Sequence, residues 1–274
     1  MSLFDKDDVR RHYYVKPGTK PDLDALDPGD TAIAPDKDTA KAQLKADADA
    51  IDRLQDRLYA EGQRALLVIL QGMDTSGKDG TVRAVFGRTG PNGVSVTSFK
   101  KPSEVELAHD FLWRVHRACP QRGTFGIFNR SHYEDVLVGR VRKLAPADAI
   151  EHRYDQINGF ESLIASSTRI VKFMLHISKH EQRNRLQARL DEPDKRWKFD
   201  PDDLENRALW TDYMRAYERV LHRCSTDVAP WFIIPADHKW ARNAAVAAIT
   251  RRTLEEMDPR YPEVDWDPKE YSIP

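Results

Sequence analysis

The chain has 274 residues, of which 40% are hydrophobic, and its formal net charge at pH 7 is −1. A chain of this length can bury one large α/β core or two small ones, and its near-zero charge gives no overall field toward nucleic acid or membranes. Two cysteines, a charged beginning and no apolar run of about 20 residues argue against a disulfide framework, a signal peptide and a membrane span, so we expect a cytoplasmic protein without nucleic-acid or membrane partners.

The first 61 residues predict an N-terminal arm followed by a helix. Residues 1–39 are rich in Asp, Pro and Lys, which is typical of an extended surface arm or a partly disordered segment. Over residues 39–61, the apolar side chains Leu44, Ile51, Leu54 and Leu58 fall on one helical face. Such a helix could pack on the sheet or on a second subunit, and the pattern does not choose between them. Residues 62–274 form the predicted main domain.

A phosphate-binding loop is predicted directly after the first strand. Residues 65–70 are an apolar run typical of a buried parallel strand, and Gly72, Gly77 and Lys78 then follow with the spacing of such a loop. Glycines let successive N–H groups converge on one anion, and the next helix adds its positive end. Lys78 would reach the phosphates as a mobile charge. Gly80 and Thr81 complete the phosphate- and nucleotide-binding candidates of this segment.

Two acidic residues depart from the standard loop. Asp79 stands where Ser or Thr usually follows the lysine to hold Mg²⁺, and Asp74 lies inside the loop. A carboxylate repels phosphate, so Asp74 indicates a divalent metal between the two. The alternative is a glycine-rich turn with a surface lysine. The strand pattern before the loop and the helix pattern after it favour phosphate binding.

The second strand is predicted over residues 94–99, and Lys100 follows its C-terminal end. Open α/β sheets bind ligands at the carboxyl ends of their strands, so this lysine could contact a phosphate chain or belong to a solvated loop, and the sequence does not decide. Ser103 and Glu106 then form a predicted capping box for a helix that reaches Val115.

A third strand is predicted over residues 124–128, and Asn129, Arg130 and Glu134 follow it. Phosphate-loop enzymes place a metal-binding acid at this position. Here Asn129 would be a neutral oxygen ligand of the metal, so we expect Asp74, with Glu134 one turn away, to supply the negative charge of the site. Arg130 can grip two oxygens of a transferring phosphoryl group. The alternative is a polar helix start capped by Asn129. His132 is expected to be structural.

A helical lid is predicted after the fourth strand. A helix over residues 150–166 leads to a strand over residues 169–177, and Ser178 and Glu181 then form a second predicted capping box. In the segment 178–203, Arg185 and Arg189 share one helix face and Lys198 lies in a basic stretch. These basic residues indicate a lid closing over phosphates, although an ordinary charged helix is the alternative.

The remaining chain completes an α/β pattern. Residues 204–224 predict a helix, residues 231–234 a fifth strand, and Lys239 and Arg242 after that strand are further phosphate candidates. A last helix to about residue 257 and a surface strap to residue 274 end the chain. We therefore predict an α/β fold, with a five-stranded parallel sheet that has helices on both faces.

Four segments together resemble the polyphosphate kinase 2 family: GMDTSGKDGTVR at 72–83, FNRSHYEDVLVGRV at 128–141, ISKHEQRNRLQARLDEPDKRWKF at 177–199 and APWFIIPADHKWARN at 229–243. The resemblance runs from about Tyr13 to Tyr261. It implies a thymidylate-kinase-like P-loop kinase fold and phosphate transfer between inorganic polyphosphate and nucleotides. It also implies metal- and phosphate-handling roles for Asp74, Lys78, Arg83, Arg130 and the basic lid residues, and a homo-oligomer, either a dimer or a tetramer.

Many members of that family carry Asp where Asn129 stands. The Asn form, followed by Ser-His-Tyr-Glu, is similar to the subgroup that phosphorylates both nucleoside mono- and diphosphates. Our hypothesis is a Mg²⁺-dependent kinase with polyphosphate as donor and AMP or ADP as acceptor. An ATP-dependent kinase on the same fold and a non-catalytic anion-binding protein are the alternatives.

Overall fold

A computed structural model describes residues 8–273 and contains one six-stranded sheet. The strands are β1 (Tyr14–Val15), β2 (Ala65–Gln71), β3 (Val94–Ser98), β4 (Phe125–Asn129), β5 (Thr168–His176) and β6 (Trp231–Pro235). Their order across the sheet is β1-β6-β5-β2-β4-β3, and all neighbouring pairs are parallel except β1 with β6. Since β2 is buried along its whole length, the sheet is covered on both faces. All five predicted strands are confirmed.

The predicted count of five strands is wrong, because the N-terminal arm adds β1. Tyr14 pairs with Phe232 and Val15 with Trp231, in antiparallel register. Two residues are too short to show the alternation that identifies a strand in a sequence. The arm is attached to the body beyond β1 as well, since Leu23 is fully buried. Residues 1–7 of the predicted arm lie outside the described residues.

Eleven α-helices surround the sheet within residues 8–273. They are α1 (Arg10–Tyr13), α2 (Lys37–Glu61), α3 (Lys78–Phe86), α4 (Glu104–Leu107), α5 (Trp113–Ala118), α6 (Val138–Val141), α7 (Ala147–Ile164), α8 (Lys179–Asp191), α9 (Asp202–Ala208), α10 (Trp210–Cys224) and α11 (Lys239–Met257). Helix α2 packs on α11 and α3, which places it within this domain. None of the helices described between residues 8 and 273 combines the length and apolarity needed to cross a membrane.

Two predicted helices are interrupted. The capping box of Ser103 and Glu106 is confirmed in both of its hydrogen bonds, but α4 ends at Leu107 and α5 begins only at Trp113. In the break, the carboxylate of Asp110 accepts from the Leu112 N–H and stabilises a turn. The predicted helix 204–224 is likewise divided into α9 and α10 at Leu209.

The parallel register brings four loops to one edge of the sheet. Gln71, Asn129, His176 and Pro235 end the strands β2, β4, β5 and β6. Strand β2 lies between β4 and β5, and the chain connections lead away from it in opposite directions on its two sides. Such a reversal point leaves a crevice outside the carboxyl ends of the strands, where α/β proteins bind their ligands.

Candidate active site

The predicted phosphate loop connects β2 to α3. Gly72 has a φ of 149° and Gly77 a φ of 104°, both in the region that favours glycine. A Cβ on Gly77 would come within 1.8 Å of the Arg242 guanidinium, so a larger residue would displace that arginine. Thr75 also has a positive φ, of 64°. The strand, the turn and the helix therefore have the context that a phosphate loop requires.

Lys78 is held inside this loop by backbone oxygens. Its Nζ donates to the carbonyls of Gly72, at 2.8 Å, and Met73, at 3.3 Å, and its side chain is only 8% exposed. No carboxylate of residues 8–273 forms an ion pair with it. Burial, followed by the charge of Arg130, lowers the pKa of Lys78 to about 8. A bound polyanion would supply the negative charge that this ammonium lacks.

The Asp74 carboxylate forms hydrogen bonds with the side chains of Arg130 and Asn206. Its Oδ1 lies 2.6 Å from Nη2 of Arg130, and its Oδ2 accepts from the Asn206 amide at 2.9 Å. Burial favours the neutral acid, but the charges of Arg130 and Lys78 outweigh it, so the pKa of Asp74 is lowered. Asp74 is ionised, and its predicted role as a metal ligand requires exchange of these partners.

Arg130 lies in a strained backbone conformation next to this carboxylate. Its φ is 62°, a left-handed value that non-glycine residues seldom adopt. It also forms an ion pair with Glu134 at 3.2 Å, and its side chain remains 37% exposed. The charge of Glu134, opposed by burial, raises the pKa of Arg130. Strain of this kind is retained where the surrounding structure enforces it, which is common at active sites.

Asn129 bonds to the residue that follows the loop lysine. Its Nδ2 donates to Oδ1 of Asp79, 50 residues away in the sequence. The predicted site included Asn129 and Glu134 as metal ligands but omitted Asp79. Its place directly after Lys78 was the available signal, since a metal ligand is usual there.

A buried polar network supports the turn after β4. His132 and Tyr133 both bond to Oε1 of Glu161, at 3.1 and 2.8 Å. The Glu161 carboxylate forms an ion pair with Lys172, whose Nζ also donates to the Tyr133 hydroxyl and the Cys224 carbonyl. His132, Glu161 and Lys172 are fully buried. His132 is therefore structural, as predicted.

Arg185 connects the predicted lid to the loop through hydrogen bonds. Its two terminal nitrogens donate to four backbone carbonyls, those of Thr75, Ser76, Ala236 and Asp237, at 2.7 to 3.1 Å. It also pairs with Glu181 at 2.7 Å, and its side chain is 10% exposed. Arg185 thus joins α8, the phosphate loop and the end of β6. Its predicted contact with a phosphate chain stays a prediction.

Two further residues of the predicted lid segment, Asp203 and Gln182, hold it in place through hydrogen bonds. Arg189 bonds to the Asp203 carboxylate and to the Lys198 carbonyl, both at 2.8 Å. Gln182 donates to the Asp74 carbonyl at 3.2 Å. Burial, followed by the charge of Asp74, raises the pKa of Asp203 to about 6. The segment predicted to be a lid therefore contacts the loop through Gln182 and Arg185.

Only half of the second predicted capping box is present. The Ser178 hydroxyl accepts from the Glu181 N–H at 3.0 Å, as predicted. The reciprocal bond is replaced, because the Ser178 N–H donates to Asp237 and the Glu181 carboxylate pairs with Arg185. These exchanged bonds anchor the lid helix to the end of β6.

The other predicted phosphate-binding residues are distributed around the loop. Arg242 is 2% exposed and donates to the Ser76 carbonyl at 2.8 Å, and burial, followed by Arg185, lowers its pKa to about 9. Thr81 is buried in the first turn of α3. The remaining candidates lie on the surface: Gly80, Arg83, Lys100, Lys198 and Lys239. The structure thus brings Lys78, Arg130, Arg185 and Arg242 to the loop.

A narrow cleft opens between the loop and α10. It is lined by Gly72, Met73, Asp74, Arg130, Glu134, Leu137, Val138, Asn206, Tyr213 and Tyr217. Tyr213 and Tyr217 are buried and form part of this wall. Asn206, Gln182 and Asp203 were missed because nothing in the local sequence shows that they meet residues more than 100 positions earlier.

Comparison with known proteins gives a consistent result. A family model described as polyphosphate kinase 2 (PPK2) matches residues 34–262. The chain is 50% identical to the AMP/ADP-polyphosphate phosphotransferase of Meiothermus ruber, over 92% of this chain and 96% of that one. It is 45% identical to the ADP-polyphosphate phosphotransferase of Rhodopseudomonas palustris, over 80% and 81%. The crystal structure of polyphosphate kinase 2 from Arthrobacter aurescens TC1 superimposes with a TM-score of 0.89 at 42% identity, over 94% and 95%.

Proposed function

The chain belongs to the polyphosphate kinase 2 family, and we propose that it transfers the terminal phosphoryl group of inorganic polyphosphate to AMP and ADP, forming ADP and ATP. Both acceptors are included because the Meiothermus ruber relative is named for AMP and ADP and matches nearly the whole chain. The Asn129-Arg130-Ser-His-Tyr-Glu sequence supports the same choice. The same fold can also carry an ATP-dependent kinase, which is the alternative.

The observation that carries this proposal is a set of hydrogen-bond donors in the loop that have no acidic partner among the described residues. Lys78 bonds only to carbonyl oxygens, and the buried hydroxyls of Thr75 and Ser76 have no hydrogen-bond partner among the described residues. Together with the N-terminus of α3, they offer converging positive charge and hydrogen-bond donors to a chain of phosphates.

The reaction needs positioning more than proton transfer. The attacking group is a phosphate oxygen of the nucleotide, and since its second pKa is about 6 it is largely ionised at neutral pH. No general base is therefore required. Lys78 and Arg130 neutralise the approaching polyanions and hold the transferring group in line, which is how phosphoryl-transfer enzymes lower the barrier.

A magnesium ion fits the chemistry of the side chains at this edge. Asp74, Asn129 and Glu134 offer oxygen ligands, which Mg²⁺ prefers. Residues 8–273 contain no cluster of three acidic, histidine or cysteine side chains able to hold a metal alone. Substrate phosphates and water would therefore complete the coordination, as is usual for this ion. When bound, Mg²⁺ neutralises charge that develops on the transferring phosphoryl oxygens.

The proposal is tested by incubating the protein with Mg²⁺, AMP and long-chain polyphosphate in the absence of ATP. Chromatography should show ADP first and then ATP. A parallel reaction with ATP in place of polyphosphate tests the alternative kinase. Absence of product from AMP, ADP and GDP with polyphosphate would contradict the proposal.

We further propose a homo-oligomer, a dimer or a tetramer, on the family resemblance. Light scattering coupled to size-exclusion chromatography measures the mass and decides between these states and a monomer. A cytoplasmic location also remains a prediction.

A further inference from the structure

We propose that Asp79 supplies the charged side-chain ligand of the metal, and that Asp79 and Asn129 have exchanged the acidic and neutral positions of a standard phosphate-loop metal site. In the standard arrangement, Ser or Thr after the lysine binds Mg²⁺ and an acid at the end of the adjacent strand supports it. Here the acid follows the lysine and the neutral residue ends the strand. The inference rests on the proposed function, because it assumes a metal-assisted phosphoryl transfer.

The two positions are adjacent in space. Asp79 is the second residue of α3, and Asn129 is the last residue of β4, where it pairs with Leu70 of β2. The Asn129 amide donates directly to Oδ1 of Asp79. The second carboxylate oxygen of Asp79 and the amide oxygen of Asn129 have no hydrogen-bonding partner within residues 8–273. Two oxygens from two elements are thus available for one cation.

The other acids of the site already have cationic partners. Asp74 pairs with Arg130 and accepts from Asn206, and Glu134 pairs with Arg130. Asp79 forms no ion pair with a basic side chain of residues 8–273, and its one hydrogen-bond partner there is the neutral Asn129. It also lies near enough to Lys78 to favour the charged form of that lysine. Asp79 is therefore the carboxylate whose charge a bound cation would offset.

A purely structural explanation of Asp79 also exists. An acid in the first turn of a helix stabilises that helix through its dipole, with or without a metal. Asp38 offers a control, because it is an exposed acid in the first turn of α2, outside the loop and the cleft, although it also pairs with Lys41 at 3.4 Å. Asp38→Asn removes the same helix–charge interaction and leaves the proposed ligand unchanged.

The test measures binding of Mn²⁺ alone to the protein, from the electron paramagnetic resonance signal of the free ion. Asp79→Asn should raise the dissociation constant about 10-fold to 100-fold, on the scale of lost metal-site interactions. Asp38→Asn should leave it unchanged. The exchanged variant Asp79→Asn/Asn129→Asp keeps one carboxylate and one amide and should recover most of the lost affinity. Circular dichroism confirms that each variant is folded.

Three results would overturn the inference. Parental Mn²⁺ affinity in Asp79→Asn would show that Asp79 is not a ligand, as would a loss confined to Asp74→Asn. If Asp79→Asn/Asn129→Asp bound Mn²⁺ as weakly as Asp79→Asn, the two positions would not be interchangeable, and the proposed exchange would be excluded. None of these measurements depends on turnover, so a parent protein that binds Mn²⁺ through Asp79 but makes no ADP or ATP would refute the proposed function alone.

Discussion

Arg130 and Asp74 are bonded directly to each other, with Nη2 of the arginine 2.6 Å from Oδ1 of the aspartate. The sequence predicts that the first grips a phosphoryl group and the second binds a metal, and either role would require this pair to open. Glu134 holds Arg130 from its other side at 3.2 Å. The charges of Asp74, Arg130 and Glu134 are therefore paired with one another in this structure.

Replacing Lys78 with Ala should abolish most of the activity and leave the fold intact. Charge-stabilising groups of this kind lower the barrier by about 3–4 kcal/mol, which corresponds to a loss of two to three orders of magnitude in kcat. ATP formation from ADP and polyphosphate measures the effect, and circular dichroism checks the fold. Lys45→Ala, an exposed lysine of α2, is the control. Near-normal turnover in a folded Lys78→Ala variant would exclude this loop as the active site.

Arg185→Gln should give a defect that does not change with salt. Four backbone carbonyls of the loop and of the end of β6 each lose a hydrogen bond, and among the described residues only the Ser76 carbonyl keeps a second one, from Arg242. We therefore expect the loop to shift, and a displacement of about 1 Å can reduce the rate about 100-fold. Such fixed contacts are not screened, whereas charge steering weakens as ionic strength rises. Values of kcat/KM for polyphosphate from low to high KCl, at fixed Mg²⁺, measure the difference.

Arg183→Gln is the matched control for this series. Arg183 lies on the same helix but is exposed, so any defect from its loss should fade as KCl increases. If the Arg185→Gln defect also faded with salt, Arg185 would act by collecting polyphosphate, as the sequence predicts, and not as a brace.

His132→Gln should reduce the loss of unfolding free energy that the protein shows as the pH falls below 6.5. Burial lowers the pKa of His132 below its ordinary 6.5, although Glu161 opposes the shift. The unfolded chain therefore gains a proton near pH 6.5 that the folded protein takes up only at lower pH. The free energy of unfolding thus decreases as pH falls below 6.5, by up to about 1.4 kcal/mol per pH unit, and is independent of this group above it.

Urea denaturation at several pH values from 5 to 8 measures this slope. Glutamine keeps an N–H donor for Glu161 but does not titrate, so the variant should have the shallower slope on the acid side. Asp203, whose raised pKa gives a slope of opposite sign, is present in both proteins and cancels in the comparison. Identical slopes, with only a constant difference in stability, would show that His132 does not contribute to the acid sensitivity.

Lys172→Met should destabilise the protein strongly. It leaves the Glu161 carboxylate buried without its cationic partner, and breaking a buried ion pair in this way costs about 3–5 kcal/mol. The double variant Lys172→Met/Glu161→Gln removes both charges and should lose less. Denaturant unfolding of the parent, the two single variants and the double variant forms a complete cycle. Equal losses in Lys172→Met and the double variant would mean that packing around Met, and not the stranded charge, determines the cost.

The local patterns of the sequence predicted most of the sheet and the position of the loop. Five apolar runs became the five parallel strands, and the spacing of Gly72, Gly77 and Lys78 located the phosphate loop. An apolar run and a glycine turn are both local patterns, so neighbouring residues are enough to identify them. Strand β1 was missed, because a strand of two residues is stabilised by its pairing with β6 and not by its own pattern.

The roles of individual charges depended on the tertiary structure. The sequence showed that Arg185 and Arg189 share a helix face, but not that Arg185 reaches backbone carbonyls of two other segments. Nor did it show that Asn206 bonds to Asp74 across 132 residues, or that Asp79 meets Asn129. A charged side chain takes the partner that the fold brings within hydrogen-bonding distance. The residue types at the site were therefore determined by the sequence, whereas the pairing among them was decided only when β2, β4 and the lid came together.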